Sequence, residues 1–401
     1  MSAHAAAAEH VSIAETPVSQ RLIVWCVGVF AFLNVYSIQA VLPMLMDDFH
    51  ATPAEAGHTV GATVFGVALL SPFIGMLSDA WGRKRLLVTS MLLLGVPTAA
   101  AGFSHTLAEL VLWRFLQGLA IPGITVVAMA YIAEEYQHHG SVAKMMAAYV
   151  SGSVCGGYLG RFLCGHISAV AGWREALWGL AVLNLLGALF VAARLPASEY
   201  FVPNRAIAAS FAQLGRHLRN RGLLAACAVG FCVLFALVGA FTFVNVLLSR
   251  PPYNLSAGGL ANVFSVYLVG MIVTPLAGML IGRIGYRGAL GIALMISSTG
   301  LALTLVTDLP AIIVGLTLAS SGTFIAQSSS ISFLAQQVRD GRSLASGLYN
   351  LSYYMGGAVG AAVCGIAYTR YGWGGTVASV ISAQCIAGFI AWRFWWRPRT
   401  G

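Results

Sequence analysis

Two arginines stand inside apolar stretches that hold no acid: Arg114 in WRFLQGLAIPG and Arg161 in GSVCGGYLGR. A guanidinium stays charged and offers five donors in a planar fork, so inside such a stretch it binds an anion, acts on a nearby proton or grips backbone carbonyls. All 13 acids of the chain fall in the tails or near the ends of apolar runs, which leaves neither arginine an evident counter-ion. An uncompensated pair favours an anionic or neutral polar ligand over a cationic one. The uncharged polar side chains in the same setting are Asn34, Tyr36 and Gln39 in FLNVYSIQ, Gln117, Asn245, Gln327, and Tyr349, Asn350, Tyr353 and Tyr354. Each needs a partner, either a ligand or a neighbouring helix. His58 and His166 fall close to the ends of apolar runs, where a solvated ring is expected.

The remaining charge gathers in corners. GMLSDAWGRKRLLV, residues 75–88, places Asp79 ahead of Arg83, Lys84 and Arg85 with Gly82 at the turn. No HExxH, nucleotide-binding glycine loop or nucleophile elbow is present, so neither an enzyme nor a cofactor is expected. The seven cysteines, at 26, 155, 164, 227, 232, 364 and 385, lie in apolar runs without CxxC or His/Cys ligand spacing and read as small core side chains. EEYQHH, 134–139, reads as a solvated loop and not as a metal site.

The elements that carry these residues follow from composition. The 401 residues are 58% hydrophobic and 9% charged, where a soluble domain carries about a quarter charged residues. Apolar runs of roughly 18 residues or more, enough to cross about 30 Å of hydrocarbon, recur along the chain. They predict an all-α membrane protein with spans near 22–45, 58–80, 85–104, 107–134, 143–169, 174–194, 223–248, 257–281, 288–307, 310–336, 344–369 and 374–394. Barrel strands would be shorter and alternating. The first 20 residues lack a basic segment followed by an apolar core and cleavage site, so no removable leader is expected.

Twelve spans put both termini on one side. Arg21, Arg83, Lys84, Arg85, Lys144, Arg194 and eleven further arginines fall there, against Arg174, Arg250 and Arg370 opposite. That bias predicts cytoplasmic termini and accounts for the net charge of +9 without a nucleic-acid partner. Arg114 and Arg161 then lie about seven and eight residues from the outer ends of their spans, at similar depth.

The chain also repeats itself. PFIGML at 72–77 returns as PLAGML at 275–280. Tyr149, Gly156, Gly157, Gly160, Cys164, Gly165, Gly172 and Trp173 each recur 200 residues later, as Tyr349, Gly356, Gly357, Gly360, Cys364, Gly365, Gly372 and Trp373. Two pseudo-symmetric six-helix bundles, 21–194 and 222–394, are therefore expected, with a binding site between them near the midplane. Residues 1–20 and 395–401 are tails. Residues 195–221 form a linker in which Phe211, Leu214 and Leu218 suggest an amphipathic helix on the membrane surface.

Gly75, Leu77, Asp79, Gly82, Arg83, Lys84 and Arg85 match the G-x-L-a-D-x-x-G-R-K-R corner between helices 2 and 3 of the major facilitator superfamily, and the chain resembles that family over nearly its whole length. Within it the chain looks most like the bacterial drug:proton antiporter branch (DHA1-like), which includes sugar, drug and metabolite efflux proteins. The resemblance implies that Asp79 and Arg83, with Glu134 or Glu135 at the end of helix 4, form a network that holds the halves together at the start of helix 11. It implies a proton-coupling role for Arg114 through R-x-x-x-G; the alternative is a structural cation bonded to carbonyls. GSVCGGYLGR resembles the antiporter motif of helix 5, keeping Gly152, Gly156 and Gly160 but carrying Gly157 where Pro is usual and Arg161 where Gly is usual. Glycines four apart make a smooth ridge for close helix packing.

The function expected is secondary transport by alternating access: proton-coupled efflux of a small organic solute from a bacterial inner membrane, with multidrug resistance as one outcome. A uniporter or anion exchanger of the same fold is the alternative, because no central carboxylate carries the proton; a non-transporting receptor is the remoter one. The partners expected are a small molecule, protons and membrane lipid, and the oligomeric state expected is a monomer.

Overall fold

A computed structural model describes residues 18–137, 141–199, 201, 215–338 and 342–395. The proposed linker face at Phe211 and Leu214, and His138 and His139 of EEYQHH, lie outside them.

Among the described residues the helical elements follow one another as twelve segments. In the first half they are a broken first span, Val18–Leu33 with Ser37–Val41 and Leu42–Asp48, then Pro53–Trp81, Arg83–Ala101, Leu107–Ala120 continued by Pro122–Glu135, Val142–Val170 and Trp173–Arg194. In the second half they begin with Arg221–Leu248. Ala257–Val263, Phe264–Val269 and the first part of Gly270–Leu303 make the eighth span, and the rest of that helix makes the ninth. Leu309–Gln337 is the tenth, and Arg342–Phe394 contains the eleventh and twelfth. The joints inside these two long helices are Gly285, at φ 76°, and Gly372, at φ 65°. Gly82 and Gly172, at φ 96° and 117°, turn the chain at the matching places of the first half. Only glycine enters this region without steric cost, so the repeat extends to the backbone conformation of its corners. These joints are tighter than the sequence suggests: the eighth and ninth spans meet at Gly285 with no loop such as 282–287 between them.

The first span departs further from expectation. It reads as one helix over 22–45, yet it breaks after Leu33 and resumes at a 45° bend. The carbonyls of Asn34 and Val35, which would otherwise continue the helical ladder, accept instead from Arg114.

Within each bundle the tightest seams are backbone to backbone. Gly152, Gly156 and Gly160 of the fifth span face Trp25, Val29 and Leu33 of the first, where a Cβ would lie 2.1, 2.1 and 1.8 Å from the respective carbonyl oxygens. Gly356 and Gly360 of the eleventh span meet Phe231 and Phe235 of the seventh in the same way. Gly157 and Gly357 lie off these seams; the first looks toward Arg161 and the second toward Leu234 and Val64.

The two bundles meet along the second and eleventh spans, where Gly57 and Gly61 approach Ala361 and Gly347 approaches Pro72. Three hydrogen bonds cross between the bundles among the described residues: Gln39 Nε2 to Thr242 Oγ1 at 2.8 Å, Ala54 N to Thr369 Oγ1 at 3.3 Å, and His166 Nε2 with Asn262 Oδ1 at 2.9 Å. All three lie in the halves of their helices remote from the termini. We call that end the far side and the other the terminal side.

Candidate functional site

Arg161 is the centre of the candidate site. The fifth span carries it with 3% exposure at the contact between the bundles. Its Nε donates to Gln39 Oε1 at 2.8 Å and its Nη1 to the Gly157 carbonyl at 2.6 Å, one helical turn back. Three rings surround the guanidinium: Tyr36 at 4.8 Å, and Phe264 and Tyr267 of the eighth span at 4.7 Å each. Cation–π attraction of this kind reaches about 2 kcal/mol when desolvated. The cage is shared, because Tyr36 belongs to one bundle and Phe264 and Tyr267 to the other. No carboxylate among the described residues pairs with Arg161.

Beside the cage, Tyr353 stacks on Tyr349 at 5.9 Å and meets Tyr354 edge-on at 5.3 Å. Tyr36 stands within electrostatic range of both Tyr353 and Tyr354. The hydroxyl of Tyr267 is buried without a hydrogen-bond partner among the described residues, and that of Tyr349 lies by Ser330. Gln327 and Asn350 are half-buried. The arrangement offers one fixed cation, aromatic faces and a spare hydroxyl, which suits a small anion with a planar apolar part.

Arg114 belongs to a different structure. It is fully buried and donates to Thr59 O at 3.2 Å, Asn34 O at 3.0 Å, Val35 O at 2.8 Å and the Gln117 side chain. This is the carbonyl grip, one of the two roles open from sequence, and it holds the broken first span against the second and fourth. Asn34 contributes its carbonyl; its side-chain amide is buried without a partner. Asn245 donates to Phe241 O of its own helix and does not join the cage.

The charged corner sits on the terminal side. Arg83 Nη2 pairs with Asp79 at 2.7 Å, the Arg83 fork binds both carboxylate oxygens of Glu134, and Nη1 reaches Ser78 Oγ at 2.7 Å. Gly82 allows the turn that aims Arg83 at both acids. Phe201 of the linker lies 5.4 Å from the guanidinium, and the Lys84 amide donates to Ser198. Gly75 is half-buried in the second span, Glu135 is buried beside Glu134, and Arg85 is exposed.

Phe264 and Tyr267 of the cage, and Thr242, Thr369 and Asn262 of the bonds between the bundles, were not singled out from sequence.

Comparison with known proteins agrees with this architecture. The sequence profile described as Major Facilitator Superfamily matches residues 24–273. The inner membrane transport protein YnfM of Escherichia coli K12 is 31% identical over 93% of this chain and 89% of its own. The MFS-type transporter YybF of Bacillus subtilis 168 is 29% identical over 94% and 95%. A shorter match, 34% over 29% of this chain and 27% of the relative, is to the niacin transporter NiaP of Acinetobacter baylyi. Among solved structures, a bacterial homologue of the human lysosomal transporter Spinster, in an inward-facing and occupied conformation, superposes with a TM-score of 0.77 at 17% identity, covering 94% of this chain and 98% of that one. The nucleoside transporter NupG gives 0.77 at 13%, covering 94% and 100%. With its described residues folded into two pseudo-symmetric helical bundles and with these relatives, this chain is a multi-pass membrane transporter and belongs to the major facilitator superfamily.

Proposed function

We propose that the chain exports a small organic anion across a bacterial inner membrane by alternating access, driven by inward proton flow, with both termini in the cytoplasm. The observation that carries the anion is Arg161, buried at the contact between the bundles with no acid partner and an aromatic cage around it. A relative named for niacin, a pyridine carboxylate, fits the same chemistry. The orientation rests on the excess of Lys and Arg on the terminal side. Proton drive and efflux rest on the resemblance to the drug:proton antiporter branch. Anion exchange is the second reading, favoured by the lack of any acid in the middle of a span.

Flux of radiolabelled benzoate in proteoliposomes tests both. Organic anions are expected to compete and quaternary amines to have no effect; the reverse pattern ends the proposal. A pH gradient accelerates flux under proton drive, whereas dependence on an anion in the opposite compartment with no response to pH selects exchange.

The corner acts as the terminal-side gate in this scheme. Asp79 and Arg83 re-engage the start of the eleventh span when that side closes, using the positive end of its helix dipole. Asp79→Asn is expected to lower transport at least about tenfold, the effect of a charge-assisted pair worth roughly 1.5 kcal/mol or more, with normal insertion by fluorescence-detected chromatography. Unchanged flux in vesicles would show that the corner serves topology alone.

A further inference from the structure

Arg161 does more than line the site: it is wired to the seal on the far side. Its Nε fixes the Gln39 amide by bonding Oε1, and that orientation turns Gln39 Nε2 toward Thr242 Oγ1 of the other bundle at 2.8 Å. Gln39 and Thr242 are 1% and 0% exposed, so no water competes for the bond. The same guanidinium also draws Phe264 and Tyr267 of the other bundle toward it through their ring faces. One charge therefore supports two links between the bundles, one through an amide relay and one through two rings.

We propose that Gln39 and Thr242 are the positioning residues through which occupancy of Arg161 opens the far side. This rests on the reading of Arg161 as the anchor for an anion. A carboxylate arriving from the terminal side forms an ion pair with the guanidinium, charged on both sides, and displaces a bond in which Gln39 offers only a neutral acceptor. Pairing also cancels the net charge that attracts Phe264 and Tyr267. Once Nε leaves Gln39 Oε1, the amide is free to rotate and the bond to Thr242 loses its fixed donor. The ligand thus binds better where the far side is open, the differential affinity that a shift between two states requires. The order suits export: an empty carrier keeps its far side sealed, and a loaded one releases it.

The test uses spin labels on Val170→Cys and Tyr371→Cys, exposed positions near the far ends of the fifth and eleventh spans, with the native cysteines replaced. Without ligand, Thr242→Val and Gln39→Leu are expected to shift the pair toward longer distances, raising the open-to-closed ratio about fivefold, the equivalent of one net hydrogen bond. Thr242→Ser keeps the hydroxyl and is expected to restore the parental distribution, which a packing defect would not do. Benzoate is expected to lengthen the parental distance, with benzamide as its inert uncharged counterpart, and to add little in Thr242→Val. Parental distances in both ligand-free variants would overturn the relay whatever benzoate does. Binding of benzoate is measured separately by calorimetry: retention in Thr242→Val and loss in Arg161→Gln supports both steps. Binding that survives in Arg161→Gln overturns the anchor and, with it, the occupancy step. A ligand-free widening in the same experiment would still identify Gln39 and Thr242 as the seal.

Discussion

Gly160→Ala is expected to yield little folded protein, because its new Cβ would sit 1.8 Å from the Leu33 carbonyl oxygen in the seam between the first and fifth spans. Backbone cannot withdraw as a flexible side chain can, so the two helices must separate along the seam. Overpacking of a close-packed core costs about 1–3 kcal/mol, and here the displaced contacts extend to Gly152 and Gly156. The defect also falls beside the break at Asn34 and Val35, which Arg114 holds in place. Gly356→Ala, with its Cβ 2.0 Å from Phe231 O, is expected to rank next, and Gly360→Ala, at 2.6 Å from Phe235 O, to be milder. Gly278→Ala and Gly291→Ala meet nothing within 4 Å and are expected to match the parent or exceed it slightly, since alanine favours helix by about 1 kcal/mol over glycine. Thermal unfolding in detergent, read by fluorescence-detected chromatography, checks the order. Equal midpoints for the variants at 160 and 278 would refute the seam.

Arg114→Leu carries the second large effect. It strips the donors from Thr59 O, Asn34 O, Val35 O and Gln117 Oε1 in a site with no exposure. Buried acceptors left unmade cost about 1–3 kcal/mol each; with relaxation the expected loss is roughly 3–5 kcal/mol and transport is abolished. Arg114→Lys supplies three donors from a point charge to acceptors placed for a planar fork, and an intermediate loss is expected. A carbonyl grip predicts that stability and transport fall together across the two variants. A role confined to proton coupling predicts the parental unfolding temperature with loss of the response to a pH gradient. Paired measurements of unfolding and flux separate the two.

The fold was legible because the membrane makes crude features decisive. Span length, the absence of interior acids and the 200-residue echo of Gly156, Gly160 and Trp173 each derive from a constraint that repeats along the chain. The local pairing of Asp79 with Arg83 was legible too, since an acid and a base stand four residues apart. The expected link to the start of the eleventh span is not made: among the described residues the ion pairs of this corner stay within the first half. What escaped depends on which helix faces which. Arg114 and Arg161 look alike in sequence, both lone cations at similar depth, yet one spends its donors on carbonyls while the other keeps its face for rings. The difference lies in Asn34 and Val35 beside the first and in Phe264 and Tyr267 beside the second. The last two belong to another bundle, and no local spacing announces them. His166 is a further case: expected to be merely solvated, it bonds Asn262 across the bundles.

The bond between Gln39 and Thr242 joins the first span to the seventh, the corresponding elements of the two halves. Such a contact sets an element of one half against its own counterpart in the other. In an assembly of two identical six-helix chains each such contact would be made twice, by the same pair of positions. In a single chain that demand is lifted. An amide on one side and a hydroxyl on the other give the bond a direction, from a half that carries Arg161 to a half that has Ala361 in its place, and a symmetric assembly has no means of making that distinction.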